Sequence, residues 1–180
     1  MAQLPYLVYE QKPPMSSEAF KELAKDLMPG KDAAFLDKLT LNTDVYNKKK
    51  TGCSFVDKWH DWDRVLKLNL AKYRAIKLKH DNSQIPEPPA VHMDTAVIAS
   101  KAVDESSPLE GEFIIDKARW NAIDGFAGNN YFDRNNAFAY FIKLLLLERR
   151  ESFNTEKGFA EYKALYASIV ESASVSRGEF

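Results

Sequence analysis

Asp57, His60 and Asp61 stand at i, i+3 and i+4, so on a helix they share one turn and could offer three ligands to a divalent cation. A plainer reading competes with it. Together with Asp63, the two aspartates put negative charge in the first turns of a helix, where the dipole favours it, and His60 is their solvated neighbour. Cys53 follows Lys48-Lys49-Lys50, a setting that can lower a thiol's pKa. It lacks a histidine placed to act as its base, and we read it as an incidental small residue. His80 and His92 lie beside loops without ligand spacing. The sequence contains no glycine-rich phosphate loop, no G-x-S-x-G elbow, no H-E-x-x-H and no C-x-x-C with a partner pair. The expectation is therefore a protein that is not an enzyme, with no catalytic residue, no metal and no cofactor.

Charge is distributed more informatively. Between Lys48 and Lys79 ten basic residues stand against three aspartates, a local +7, so the remainder of a chain whose net charge is -1 carries -8. On a helix these residues fall on two sides of an aromatic stripe, with Lys58, Lys72 and Lys79 on one and Lys67, Arg74 and Lys77 on the other. Two readings stay open. Basic rails beside aromatics are what a nucleic-acid groove uses. Rails beside rings that belong to a core form a solvated or docking face instead. Lys67, Lys72, Arg74, Lys77 and Lys79 are the expected contact residues for an acidic protein partner, while Trp59, Trp62, Trp120 and Leu144 are expected in the core.

The elements that must carry these residues are helices. Glycine is scarce, and Leu, Ala, Lys and Glu dominate segment after segment. Leu4 to Tyr9 reads as a short extended piece, closed by Pro13-Pro14. Ser16 is a plausible N-cap, with Met15 and Phe20 as a hydrophobic staple, and Pro29-Gly30 separates this helix from a second one. Phe55, Trp59, Trp62, Leu66, Asn69, Tyr73 and Ile76 alternate spacings of four and three, which predicts a helix from about Phe55 to Lys79, roughly 36 Å long. Leu68, Leu70 and Leu78 make that helix apolar on a second side. Asn69 on the seam either fixes register through a hydrogen bond or sits at a wet edge. Further helices are expected at about 90–103, 109–124, 134–151 and 155–171, the third of these being apolar nearly all round between Arg134 and Leu147. The fold class is all-α: a bundle of about seven helices with a short extended N-terminal segment, its core including Trp59, Trp62, Leu66, Tyr73, Phe113, Trp120, Phe141, Leu144 and Leu147.

A length of 180 residues suits a single domain, 1–180, with Pro86, Pro88 and Pro89 marking a hinge at 80–89 between subdomains 1–79 and 90–171, and with 172–180 a frayed tail. Hydrophobic residues at 45% and charged residues at 28% exclude a disordered or collagen-like chain. The single cysteine excludes an internal disulfide. No apolar run approaches the roughly 20 residues of a membrane span, and the first residues carry no signal-peptide pattern, so a cytoplasmic protein is expected.

Three stretches together resemble a family: Leu4-Pro5-Tyr6-Leu7; Trp59 through Leu78, with Leu70-Ala71-Lys72-Tyr73-Arg74-Ala75; and Pro108-Leu109-Glu110-Gly111-Glu112 running through Ala118-Arg119-Trp120 to Leu145-Leu146-Leu147-Glu148-Arg149-Arg150-Glu151-Ser152-Phe153 and Lys157-Gly158. The chain resembles the small bacterial proteins encoded among V/A-type ATP synthase subunits, which are themselves similar to a shortened C subunit, called d in the eukaryotic enzyme. The resemblance implies an all-helical, non-catalytic subunit or assembly factor of a rotary ATPase. In the larger relative, helical lobes form a socket on the rotor ring that receives the central stalk. The implied partners are stalk or rotor-ring subunits, with no small-molecule substrate and with membrane proximity through protein contacts only, peripheral at the inner membrane. The alternatives are a helical adaptor or a nucleic-acid-binding module that uses the basic helix 55–79.

Overall fold

The computed structural model describes residues 4–46, 49–128, 133–153 and 155–175. Among them are seven helices and no strand: α1 (Ser17–Leu27), α2 (Gly30–Leu36), α3 (Ser54–Lys77), α4 (Asp94–Asp104), α5 (Pro108–Ala127), α6 (Arg134–Ser152) and α7 (Thr155–Val175). None is long and apolar enough to cross a membrane. The all-α bundle read from the sequence is what the chain forms. Lys48 and residues 176–180 of the expected tail lie outside the described residues, while 172–175 continue α7.

The helix ends follow from local chemistry. Ser16 caps α1, its hydroxyl accepting from the Ala19 N–H at 3.1 Å, and Met15 packs against the core cluster that includes Phe20. α3 stops two residues before the expected Lys79. There Lys79 turns left-handed (φ 55°), the Lys79 N–H reaches the Ile76 carbonyl, and the His80 N–H reaches that of Ala75 at 2.9 Å. This is a Schellman closure with lysine where glycine is usual. α4 begins at Asp94 rather than near Ala90, because His92 is also left-handed (φ 56°) and its carbonyl accepts from the Thr95 hydroxyl at 2.7 Å.

The chain divides into two compact units, 1–148 and 149–180. Residues 80–89 fall inside the first, where α3 packs on both α4 and α5. The seam on α3 is buried through Phe55, Trp59, Trp62, Leu66 and Asn69, then leaves the core: Tyr73 is half-buried and Ile76 exposed. Leu70, four residues beyond Leu66, is buried with the seam, and Leu68 is buried on the other side of the helix. Asn69 is a register device, its amide donating to the Thr95 hydroxyl of α4 at 3.0 Å and to the Val65 carbonyl at 3.2 Å. α4 and α5 touch closely enough that a Cβ added to Gly111 would stand 2.6 Å from the Ala102 carbonyl oxygen. α6 buries Phe138, Phe141, Ile142, Leu144, Leu146 and Leu147, so little of its circumference before Glu148 is polar. Its rings meet those of α1 and α2, Phe20 with Tyr140 at 5.1 Å and Phe35 with Phe138 at 5.1 Å.

The segment 4–9 straps this core without forming a strand. Leu7 is buried, the Tyr9 hydroxyl donates to the Phe113 carbonyl at 3.1 Å, the Tyr9 ring lies 5.5 Å from Trp120, and the Tyr140 hydroxyl donates to the Pro5 carbonyl at 2.9 Å. Phe113 therefore serves through its backbone as well as its half-buried ring. In the second unit, Arg149 lies over the Phe153 ring at 5.2 Å, and α7 carries exposed Phe159, Tyr162, Leu165, Tyr166 and Ile169.

Candidate functional site

The C-terminal half of α3 uses its basic side chains within the chain. Lys67 donates to the Thr43 carbonyl at 2.8 Å and pairs with Asp63 at 3.0 Å. Lys72 pairs with Glu87 at 2.6 Å, Arg74 with Glu112 of α5 at 3.2 Å, and Lys77 reaches the Val103 carbonyl near the C-terminus of α4. These four residues tie α3 to the 43 loop, the 80–89 segment, α5 and α4 respectively. Lys79 is exposed, and its ammonium pairs with no described residue. The five therefore do not converge on one open patch. Trp59, Trp62, Trp120 and Leu144 are all buried; Trp59 and Trp62 stack at 6.0 Å, and the Trp62 N–H donates to Asp94 at 3.0 Å.

Beneath these ties lies a buried ionic cluster that no spacing rule singled out. Asp63, expected as a solvated first-turn charge, has no exposed surface. Its carboxylate accepts from Arg119 Nε at 2.9 Å and from the Thr43 hydroxyl, and faces Lys67, while Arg119 also donates to Asp116 at 3.1 Å. Burial opposes charge on Asp63, but Arg119, Lys67 and the Thr43 hydrogen bond outweigh it and hold the carboxyl below its usual range. Asp63 and, after it, Asp116 keep Arg119 protonated against its burial. One signal was present in the sequence: Arg119 stands four residues from both Ile115 and Ile123, on a stripe that must face inward, with Asp116 a turn before it.

The open site is at the other end of α3. Helical spacing puts Ser54, Asp57, Lys58, Asp61 and Arg64 along one side of α3, and Lys49, Lys50 and His92 flank it from neighbouring segments. They enclose a cavity of about 550 Å³ that His60 also lines. Asp57 locks the helix start by accepting from the Thr51 N–H at 2.7 Å and hydroxyl at 2.8 Å. Asp61 pairs with Arg64 at 2.6 Å and lies 3.4 Å from His92 Nε2. Burial works against charge on Asp61, yet the Arg64 hydrogen bond and charge, joined by His92, keep its carboxyl below the ordinary value. His60 is half-buried rather than solvated; burial is the largest influence on it and lowers its pKa from 6.5 despite Asp57 and Asp63. Asp57, His60 and Asp61 thus share a wall without converging, and no group of three or more His, Cys, Asp or Glu among the described residues could hold a metal ion. Cys53 is the buried N-cap residue of α3, its thiol 3.5 Å from the Asn135 side-chain oxygen. The lining sets four lysine and arginine cations against two carboxylates, a balance suited to an anion.

Comparison of the chain with family models, curated proteins and solved structures finds no match.

Proposed function

We propose that this chain is a non-catalytic subunit or assembly factor of a bacterial V/A-type rotary ATPase that docks near the central stalk and rotor ring, at the cytoplasmic side of the inner membrane. The observation that supports the reading is that two of the stretches bearing the resemblance meet: the Pro5 carbonyl of Leu4-Pro5-Tyr6-Leu7 accepts from Tyr140 of α6, and Tyr9, two residues beyond that stretch, donates to the Phe113 carbonyl of α5 and lies against Trp120.

A docking role is further supported by α7. Phe159, Tyr162, Tyr166 and Ile169 recur at spacings of three, four and three and are exposed. A row of this kind on one helix is a surface suited to another protein rather than to water. The nucleic-acid alternative loses support because Trp59 and Trp62 are buried, so neither tryptophan of the stripe offers a face on which a base could stack. The test is affinity capture from cells expressing the ATPase, with the tagged full-length chain as bait. Retention of stalk or ring subunits supports the proposal; capture of nucleic acid at physiological salt without any ATPase subunit overturns it.

A further inference from the structure

We propose that the cavity at the start of α3 is a binding site for a phosphate-type dianion, gripped by Lys50 and Lys58 with Arg64 and His60 behind them. Four permanent cations and two carboxylates line it, which leaves +2 before the imidazoles are counted. Both carboxylates are engaged, Asp57 with Thr51 and Asp61 with Arg64 and His92. Lys50 and Lys58, by contrast, hydrogen-bond to no described residue, and neither does His60, although it is half-buried in the wall. A cavity that leaves two of its ammonium groups, those of Lys50 and Lys58, without an anionic partner among the described residues favours an anion from outside.

Several features narrow its chemistry. A dianion matches the lining charge, whereas a single carboxylate would leave one ammonium unmatched. Arg64 has a side chain only 13% exposed and is held in place by Asp61, so its remaining N–H groups are fixed before a ligand arrives. Cys53 gives no side-chain cap to α3, so the first N–H groups of that helix add to the positive potential without carrying the argument. The cavity's volume, about 550 Å³, is in the range of small-molecule sites and leaves room for a phosphate carried on a larger molecule. That molecule is either a soluble phosphomonoester or diphosphate, or a lipid with a phosphomonoester headgroup. The site needs no ATPase subunit, so its failure would leave the docking proposal as it stands.

The probe is pyrophosphate, titrated calorimetrically into the full chain at physiological salt. One saturable site is expected, weakened about tenfold or more by Lys50→Glu with Lys58→Glu, since each substitution replaces an attractive charge by a repulsive one. The remote pair Lys12→Glu with Lys38→Glu changes net charge equally and should bind as the wild type does. Circular dichroism checks that each variant is folded, and the milder Lys58→Ala, expected to weaken binding in the same direction, repeats the test in a helix-favouring background. Vesicles of phosphatidylcholine with and without phosphatidic acid separate the sources. Sedimentation with phosphatidic acid that pyrophosphate competes away identifies a lipid headgroup, and pyrophosphate binding without sedimentation identifies a soluble ligand; both support the site. Absence of a saturable signal in the wild type, equal loss in both charge-reversed pairs, or tighter binding to single-stranded oligonucleotide that survives Lys50→Glu with Lys58→Glu overturns it.

Discussion

Replacing Asp63 by Asn removes one negative charge from the interior while keeping shape. In the wild type that carboxylate, fully buried, accepts from Arg119 at 2.9 Å and stands 3.0 Å from the Lys67 ammonium. The variant leaves Arg119, itself 9% exposed, with Asp116 at 3.1 Å as its carboxylate partner within the cluster. Breaking a buried pair from one side costs about 3–5 kcal/mol, and the surviving Asp116 contact places the expectation near the lower figure, about 3 kcal/mol. Lys67→Met should cost less, about 1 kcal/mol, because that side chain is 21% exposed and lies nearer water. Urea unfolding followed by far-UV circular dichroism reads both. With a slope of about 1–3 kcal/mol per molar urea, the Asp63→Asn midpoint should fall by about 1–3 M at unchanged slope. A loss under about 1 kcal/mol, or a Lys67→Met variant worse than Asp63→Asn, would refute the assignment of this cluster as the ionic centre of the first unit.

Other outcomes follow from the same geometry. Gly111→Ala forces α4 and α5 apart, since the added methyl would meet the Ala102 carbonyl at 2.6 Å, and should destabilise by about 1–3 kcal/mol; a neutral result in the same urea assay contradicts that close approach. Lys79→Gly relieves a left-handed residue at φ 55° and should stabilise by about 1 kcal/mol, read as a higher midpoint; destabilisation would mean that the lysine side chain contributes something the closure of α3 does not reveal. His60 has a folded pKa lowered from 6.5, so the unfolded chain takes up its proton first: stability is full above about 6.5 and is lost as pH falls through the lower folded value. A second loss is expected below 3.8, where the depressed Asp63 carboxyl is protonated. His60→Gln should flatten the upper step, and a profile parallel to the wild type contradicts the assignment.

How far the sequence could be read depends on what each signal measures. Periodicity reports which face is apolar, so the helices, the burial of Trp59 and Trp62 and the cap at Ser16 were legible. The ends of α3 and α4 were less so, because both are set by left-handed residues, Lys79 and His92, at which composition gives no cue. Long-range ionic pairing was hidden for a different reason. Asp63 has the same local pattern whether it faces water or Arg119, which is 56 positions away in the chain. The basic run was visible as charge, but only folded geometry separates Lys67, Lys72, Arg74 and Lys77, which reach internal acceptors, from Lys50 and Lys58 at the cavity. Asn69 shows the intermediate case: its place on an apolar seam signalled either register or edge, and the Thr95 hydrogen bond decided for register.

The central functional proposal is tested most directly by measuring association of the purified full-length chain with an immobilised stalk and ring subcomplex of the V/A-type ATPase, in parallel with single- and double-stranded nucleic acid, across a salt series on one preparation. The account predicts saturable binding to the ATPase subcomplex that persists at physiological salt, with nucleic-acid binding that is weak and falls away as salt rises. Nucleic-acid binding that persists at physiological salt, with no association to any ATPase subunit, would contradict it.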